Sequence, residues 1–482
     1  MREWIVSLTV SVLAGVGWRF LPSPFHAVTC IALVSGGAVL ILVSRRRRVI
    51  ARLGGLEWTR EELTQGVLIT GGIGTGKTRS GVLALMHQVF QNDPRWGGLC
   101  LDEKSNFHEL LVGAARRYGR EKDIILLGAD TGSPAHRLNL IDAPALSHDT
   151  LSRLVVETAV SLGQNREQTF FITQAQTHLG RALDLLEALG CAVALDNAYR
   201  LLLDEEELKQ ALTELKQQDK SHASNLVRHF ESQFLSQAPE QLSGVRGSIA
   251  NFLSPYLAMA IADTFCRDTT TPLAAMNQGK IFCLSLPQLA MERRYVATLL
   301  KLRFYQECLL RFSRPESERA KTNLLMLWAD EAQQFVTASD TLGDYNLIDR
   351  LREARVAVVM ASQSISSFIP PLGKDKAEVL RLNLRSRLIF QAASETDAQD
   401  AADFLGKRQR RKITRTFGRG GRTTSYVEDE VHRMKPHKFR LLKNHQCVLV
   451  HADKRFRKRT LPPLTAEGRA SPWFPWWRKW LP

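Results

Sequence analysis

Eight residues, Gly71-Gly72-Ile73-Gly74-Thr75-Gly76-Lys77-Thr78, fit the phosphate-loop pattern G-x-x-x-x-G-K-[ST] without departure. They restrict the fold to one in which a buried strand runs into a glycine-rich loop that opens a helix. The surroundings agree: Gly66 to Thr70 is a short apolar run, and Ser80 to Phe90 carries apolar residues at helical spacing. In such a loop the glycines let consecutive backbone N–H groups turn toward phosphate oxygens at a helix N-terminus, so Gly71, Gly72, Ile73, Gly74, Thr75 and Gly76 are the expected cradle. Lys77 reaches the β- and γ-phosphates, and Thr78 is a ligand for Mg²⁺. ATP and Mg²⁺ are the cofactors expected.

The chain around this loop is long and basic. Its 482 residues suffice for two or three domains, and 44% apolar with 24% charged residues describe a globular protein and exclude a disordered one. Lys and Arg exceed Asp and Glu by 65 to 49, a net charge of +16 that favours a polyanion, either nucleic acid or an anionic membrane face. The seven cysteines, Cys30, Cys100, Cys191, Cys266, Cys283, Cys308 and Cys447, are scattered and never spaced C-x-x-C, which indicates neither a disulfide framework nor a zinc site.

Two stretches before the loop carry no charge, Trp4 to Trp18 and Phe25 to Ser44. The second has 20 residues, roughly 30 Å as a helix and enough to cross a bilayer. With the proline-broken connection Arg19 to Pro24 between them, they read as an N-terminal transmembrane helical hairpin over 1–48. The rival for the first stretch is a cleaved signal peptide. Arg45 to Arg48 follow the second span against a lone Arg19 in the connection, which places both termini in the cytoplasm of a two-pass inner-membrane protein.

Beyond the loop, Gly97 to Leu101 and Asp123 to Leu127 read as strands, giving a parallel sheet over 49–148. Helical periodicity then takes over in 149–265; Leu208, Ala211, Leu212 and Leu215 fall on one face behind an Asp204 cap. The expectation is an all-α domain inserted into an α/β domain that resumes over 266–465, with a Trp-rich and basic tail at 466–482. Sheet signals return at Lys280 to Leu286 and at Asn323 to Ala329, which ends on Asp330-Glu331. A carboxylate at the tip of a buried strand beside the phosphate-loop strand can hold Mg²⁺, making Asp330 the second metal residue, while Glu331 can polarise the attacking water. Val356 to Met360 is a further buried strand, and the Gln363 after it either senses the γ-phosphate or caps a plain turn. Arg352, just before that strand, is either an ordinary surface residue or one presented to a neighbouring subunit.

The ordered set GGIGTGKT, LCLDEKSNF, RLNLID, LLMLWADEAQQF, LREARVAVVMASQS and NLRSRLIFQAASETDAQDAADFLG resembles the type IV coupling proteins, the TraD/TraG-like ATPases of conjugation and type IV secretion within the wider HerA/FtsK group. The likeness spans nearly the whole chain. It implies a RecA-like P-loop NTPase fold, a homo-hexameric ring, and partners comprising DNA, the membrane, a relaxase or relaxosome and the channel components. It also implies that Lys77 and Thr78 bind nucleotide and Mg²⁺, that Asp330 and Glu331 serve Mg²⁺ and hydrolysis, that Gln363 is a sensor and that Arg352 is an arginine finger. One departure stands out: the family usually has Asp-Pro-Lys-Gly where this chain has Asp102-Glu103-Lys104-Ser105.

Two further segments are basic. Lys407 to Arg422 holds eight Lys or Arg and no acid, and its glycines suggest a mobile loop for DNA backbone contact or simply a solvated one. Lys454 to Arg459 holds five. In the tail, Trp473, Trp476, Trp477 and Trp480 lie among prolines with Arg478 and Lys479, a composition that suits the bilayer interface or a docking peptide. The resulting expectation is a membrane-anchored, ATP-driven motor that delivers DNA to a secretion channel. Its rivals are a coupling ATPase for protein effectors only and a non-catalytic nucleotide-binding scaffold. No LSGGQ-type signature favours a transporter of the ABC class.

Overall fold

Strands whose every residue is apolar need cover on both faces, and the computed structural model supplies it. It describes residues 48–103, 107–128, 136–163, 169–217, 221–286, 290–418 and 421–470. The expected hairpin, apart from Arg48, lies outside these residues, as do Lys104 and the tail beyond Ala470. Among the described residues no helix is long and apolar enough to cross a membrane.

A small antiparallel pair, β1 (Val49–Leu53) and β2 (Leu56–Thr59), precedes β3 (Val67–Thr70), which enters the phosphate loop. The central sheet continues with β4 (Gly97–Asp102), β5 (Ile124–Leu127), β6 (Ile281–Leu284), β7 (Leu325–Asp330), β8 (Val356–Ser362) and β9 (Ser386–Ile389). After a ribbon formed by β10 (Lys407–Gly418) and β11 (Gly421–His432), β12 (Gln446–Val450) and β13 (Phe456–Thr460) complete it. The nine strands run in the order β13-β12-β9-β3-β8-β7-β4-β6-β5. Pairing is parallel from β9 to β5, and β12 joins β9 antiparallel.

Alternate residues of these strands go to different cores, as the two-residue period requires. Leu325, Leu327 and Ala329 of β7 and Val356, Val358 and Met360 of β8 enter one cluster. Met326, Trp328, Ala357, Val359 and Ala361 enter the other, with Met86, Val89 and Phe90 of the helix Leu83–Asn92. The first face is covered by the helices Ala290–Leu309 and those between His148 and Phe265. That inserted segment is helical throughout its described elements, and its Asp204 caps the helix Glu205–Lys216 through Oδ1, which accepts from the amides of Glu206 and Glu207. Its buried leucines run without a break into the sheet's own face, so it shares one core with the sheet.

Two expectations are corrected here. The carboxylate strand β7 is not beside the phosphate-loop strand: β8 pairs with both and lies between them. Strand adjacency depends on long-range pairing, which apolar runs alone do not encode. The basic stretch from Lys407 is no loop but the first strand of a twelve-pair antiparallel ribbon. The register sets Ile413 opposite Tyr426 and Thr416 opposite Thr423, pairings of β-branched and aromatic residue types of the kind that favour a sheet. The second basic stretch ends in β13, an edge strand. Charged side chains on an edge hinder pairing with a foreign strand, which gives Arg457, Lys458 and Arg459 a structural role.

Candidate nucleotide site

At the C-terminal ends of β3, β8 and β7 the sheet brings the loop and the acidic pair together. Gly71, Gly74 and Gly76 have φ of 154°, 75° and 102°. The last two lie in the left-handed region where a side chain is strained. Contacts close off the alternatives: a Cβ on Gly71 would lie 2.6 Å from the Cβ of Phe390, and one on Gly76 2.5 Å from Nδ1 of His445. The loop is therefore a backbone-lined cradle with Ile73 at its crest, 84% exposed. The buried Lys77 donates through Nζ to the carbonyls of Gly71 (2.6 Å) and Gly72 (3.0 Å), which holds its ammonium against the loop.

Thr78 Oγ1 donates to Oδ2 of Asp330 at 3.5 Å, joining residues 252 positions apart. Two hard oxygen donors at the tips of a phosphate loop and a buried strand fit Mg²⁺, which is held by one or two protein oxygens, substrate phosphates and water. Asp330 is 5% exposed and Glu331 3%. Glu331 has φ 52° and ψ 47°. For a non-glycine residue that conformation costs about 1–2 kcal/mol. Here the bond from its amide to Asp330 Oδ1 (3.2 Å) offsets part of that cost.

The Glu331 carboxylate accepts two amide bonds, from Gln363 Nε2 to Oε1 (3.1 Å) and from Gln333 Nε2 to Oε2 (2.8 Å). Gln363 follows β8, and since β8 lies between β3 and β7 it stands between the loop and the acidic pair. The turn after it is tied down by Asp397, whose Oδ1 accepts from Ser364 Oγ (2.7 Å) and the Ile365 amide (3.1 Å). The departing Glu103 is also accounted for: it pairs with Arg294 at 2.9 Å and Arg293 at 3.4 Å.

Arg352 is not brought to this site within the chain. It sits in the last turn of the helix Asp344–Glu353, before β8 begins, whereas Gln363 follows its end. Seven extended residues separate them by about 23 Å. Arg352 is exposed and lines an open cleft with Arg60, Arg319 and Arg355. The start of its helix is anchored by the buried Asp344, which accepts from Lys301 Nζ (2.6 Å), Tyr305 OH (2.6 Å) and the Thr337 amide (2.7 Å). Breaking a buried pair of this kind is far costlier than breaking a surface one.

Three residues escaped the sequence reading. Gln333 was visible in the DEAQQF stretch but had no assigned role. The carbonyl of Gln391 accepts the Gly72 amide at 2.9 Å. His445 has no sequence signal; it donates its amide to the Thr75 carbonyl (2.9 Å) and sets Nδ1 2.9 Å from Ser80 Oγ, and burial lowers its pKa.

Residues 324–444 match the sequence model of a family described as the TraM recognition site of TraD and TraG. No curated protein matches the chain. Among solved structures, the fold is similar to that of the bacterial conjugative coupling protein TrwBdeltaN70 in its unbound monoclinic form, with 16% identity, 89% of this chain and 92% of that one covered, and a TM-score of 0.64. It is equally similar to the plasmid coupling protein TrwB in complex with the ATP analogue ADPNP (16% identity, 90% and 94% covered, TM-score 0.65). With the GTP analogue GDPNP the figures are 15%, 90%, 94% and 0.65. The resemblance to coupling proteins thus holds in the fold over nearly the whole chain and in the sequence over residues 324–444.

Proposed function

We propose that this chain is a membrane-anchored, ATP-driven motor that delivers DNA to a type IV secretion channel, acting as a coupling protein in a hexameric ring at the inner membrane. The observation that carries the ATPase reading is the Thr78–Asp330 contact beside a Glu331 held from both sides by Gln333 and Gln363. The DNA and channel readings rest on the likeness to coupling proteins and on the net charge of +16. TrwB is described in complexes with ADPNP and with ADP and Mg²⁺, which supports the same ligands here.

The loop amides and Lys77 hold the phosphates of ATP, and Thr78 with Asp330 would hold Mg²⁺. The metal supplies neutralisation of charge on the β- and γ-oxygens. Glu331 is placed to orient a water and accept its proton, and the two glutamines fix which way its oxygens point. Gln363 is bonded to Glu331 and follows the strand between the loop strand and β7, so it is the residue through which phosphate in the loop would be sensed. A neighbouring subunit would supply Arg352. The helical segment 149–265 would recognise the substrate or the relaxase-bearing complex.

Glu331→Gln should keep ATP binding and lose hydrolysis by about a hundredfold or more, since an amide cannot take the proton. Wild-type turnover in that variant would remove Glu331 from the chemistry. Stimulation of the wild-type enzyme by DNA separates the motor from its rivals: stimulation by a protein substrate alone favours an effector-only ATPase, and no turnover under any condition favours a scaffold. The membrane reading predicts that reporters fused after Met1 and after Arg48 are both cytoplasmic and one near Ser23 is external. A periplasmic signal after Arg48 would reverse the topology.

A further inference from the structure

The ribbon of β10 and β11 divides into two halves by charge. Its register runs from Lys407 opposite His432 to Gly418 opposite Gly421, about 40 Å of paired strand. Near its base the basic residues face acids: Arg410 is opposite Asp429, Arg411 opposite Glu428, and Lys407 Nζ lies 3.7 Å from Glu430. Beyond Arg411 the acids stop. The outer half, from Lys412 to Val427, contains Lys412, Arg415, Arg419 and Arg422 and no Asp or Glu.

At the boundary, Ile413 and Tyr426 are directly opposite each other and 51% and 61% exposed. The Arg411 guanidinium lies over the Tyr426 ring, 5.3 Å from its centroid. A two-stranded ribbon has no second layer and is only marginally stable alone in water, so an open aromatic–aliphatic pair on it is a surface that gains from being covered. What covers it must tolerate cations and offer a flat apolar face.

We infer that the outer half of this ribbon is a contact for single-stranded DNA, with an unpaired base stacking on Tyr426 beside Arg411 and the backbone running along the acid-free outer strands. The inference rests on the DNA reading above and says where and in which form DNA is met. A single strand offers both features required: phosphates for the basic outer half and an unpaired base for the ring. A duplex keeps its bases stacked on one another and leaves the ring unused. The pairing also moves the expected contacts: the arginines at the base, Arg408, Arg410 and Arg411, stand on the half of the ribbon that carries all its acids.

The test is DNA binding by the full-length protein in detergent, read by fluorescence anisotropy with a labelled oligothymidylate and with a duplex of equal length. Tyr426→Ala should weaken single-strand binding about tenfold or more, since stacking contributes about 1–3 kcal/mol per base, and leave duplex binding within twofold. Tyr426→Phe, which keeps the ring, should bind as the wild type does. Arg415→Ala with Arg422→Ala should reduce the salt slope for single strands by about 0.7 per lost phosphate contact, while Arg408→Ala leaves it unchanged. Basal ATP hydrolysis should survive in each variant and serves as the check on folding.

If the wild type binds single strands and every ribbon variant matches it, the inference is overturned while the DNA reading stands. If the wild type binds neither form of DNA, the DNA reading itself fails. Equal losses for single strand and duplex would overturn the stacking contact. So would unchanged DNA affinity together with loss of an acidic protein partner, which would make the ribbon a protein-docking element.

Discussion

Lys77→Ala should lower ATP turnover by about a hundred- to thousandfold, the loss seen when one donor to a developing charge is removed from a pre-organised site. The side chain is 8% exposed and its ammonium is already held at the mouth of the loop by the Gly71 and Gly72 carbonyls. Little rearrangement is then needed to meet the γ-phosphate as charge shifts onto it. The substitution also removes the two bonds that brace the loop, so nucleotide affinity should fall along with turnover. The sheet and both core clusters are untouched, so the urea midpoint should stay close to wild type. Turnover measured on purified protein decides the matter: a variant that hydrolyses ATP at the original rate would show that Gly71 to Thr78 is not the working site.

The second large effect is expected at Arg352. An arginine finger can contribute about a thousandfold or more, because a planar, always-charged guanidinium neutralises the transferring phosphoryl group. Within one chain Arg352 lies at the opposite end of β8 from Gln363, about 23 Å away, so any such contribution must cross a subunit boundary. Arg352→Ala should therefore be inactive yet as stable as wild type, since substitutions at exposed positions usually shift stability by less than about 0.5 kcal/mol. Mixed with the equally inactive Lys77→Ala protein, it should regain partial activity at interfaces that join an intact Lys77 to an intact Arg352. The gain should be largest near equal amounts. If mixed rings form, shown by co-purification of two tags, and no activity returns, Arg352 is not a finger acting in trans.

By itself the sequence determined those features whose causes are local. The phosphate loop is legible because positive φ and close backbone approach demand glycines at set places: Gly74 and Gly76 have left-handed φ, and a Cβ on Gly71 or Gly76 would meet Phe390 or His445. The central strands are legible because a parallel sheet is covered on both faces, so β7 and β8 read as unbroken apolar runs. The helix Glu205–Lys216 announced itself through its cap and period. Only the tertiary structure decided which strands are neighbours. It put β8 between β3 and β7, and with it Gln363 between the loop and Glu331. It turned an apparent basic loop into a ribbon, because the acids that balance Arg410 and Arg411 arrive from a second strand some twenty residues later. It brought His445 under Gly76 across more than 360 residues, and it set Arg352 at the far end of its strand from the acidic pair. The physical reason is the same in each case. Propensity, capping and burial pattern act over a few residues and are written in the chain, whereas pairing partners are chosen by the competition of whole strands and faces for one another, which no single segment contains.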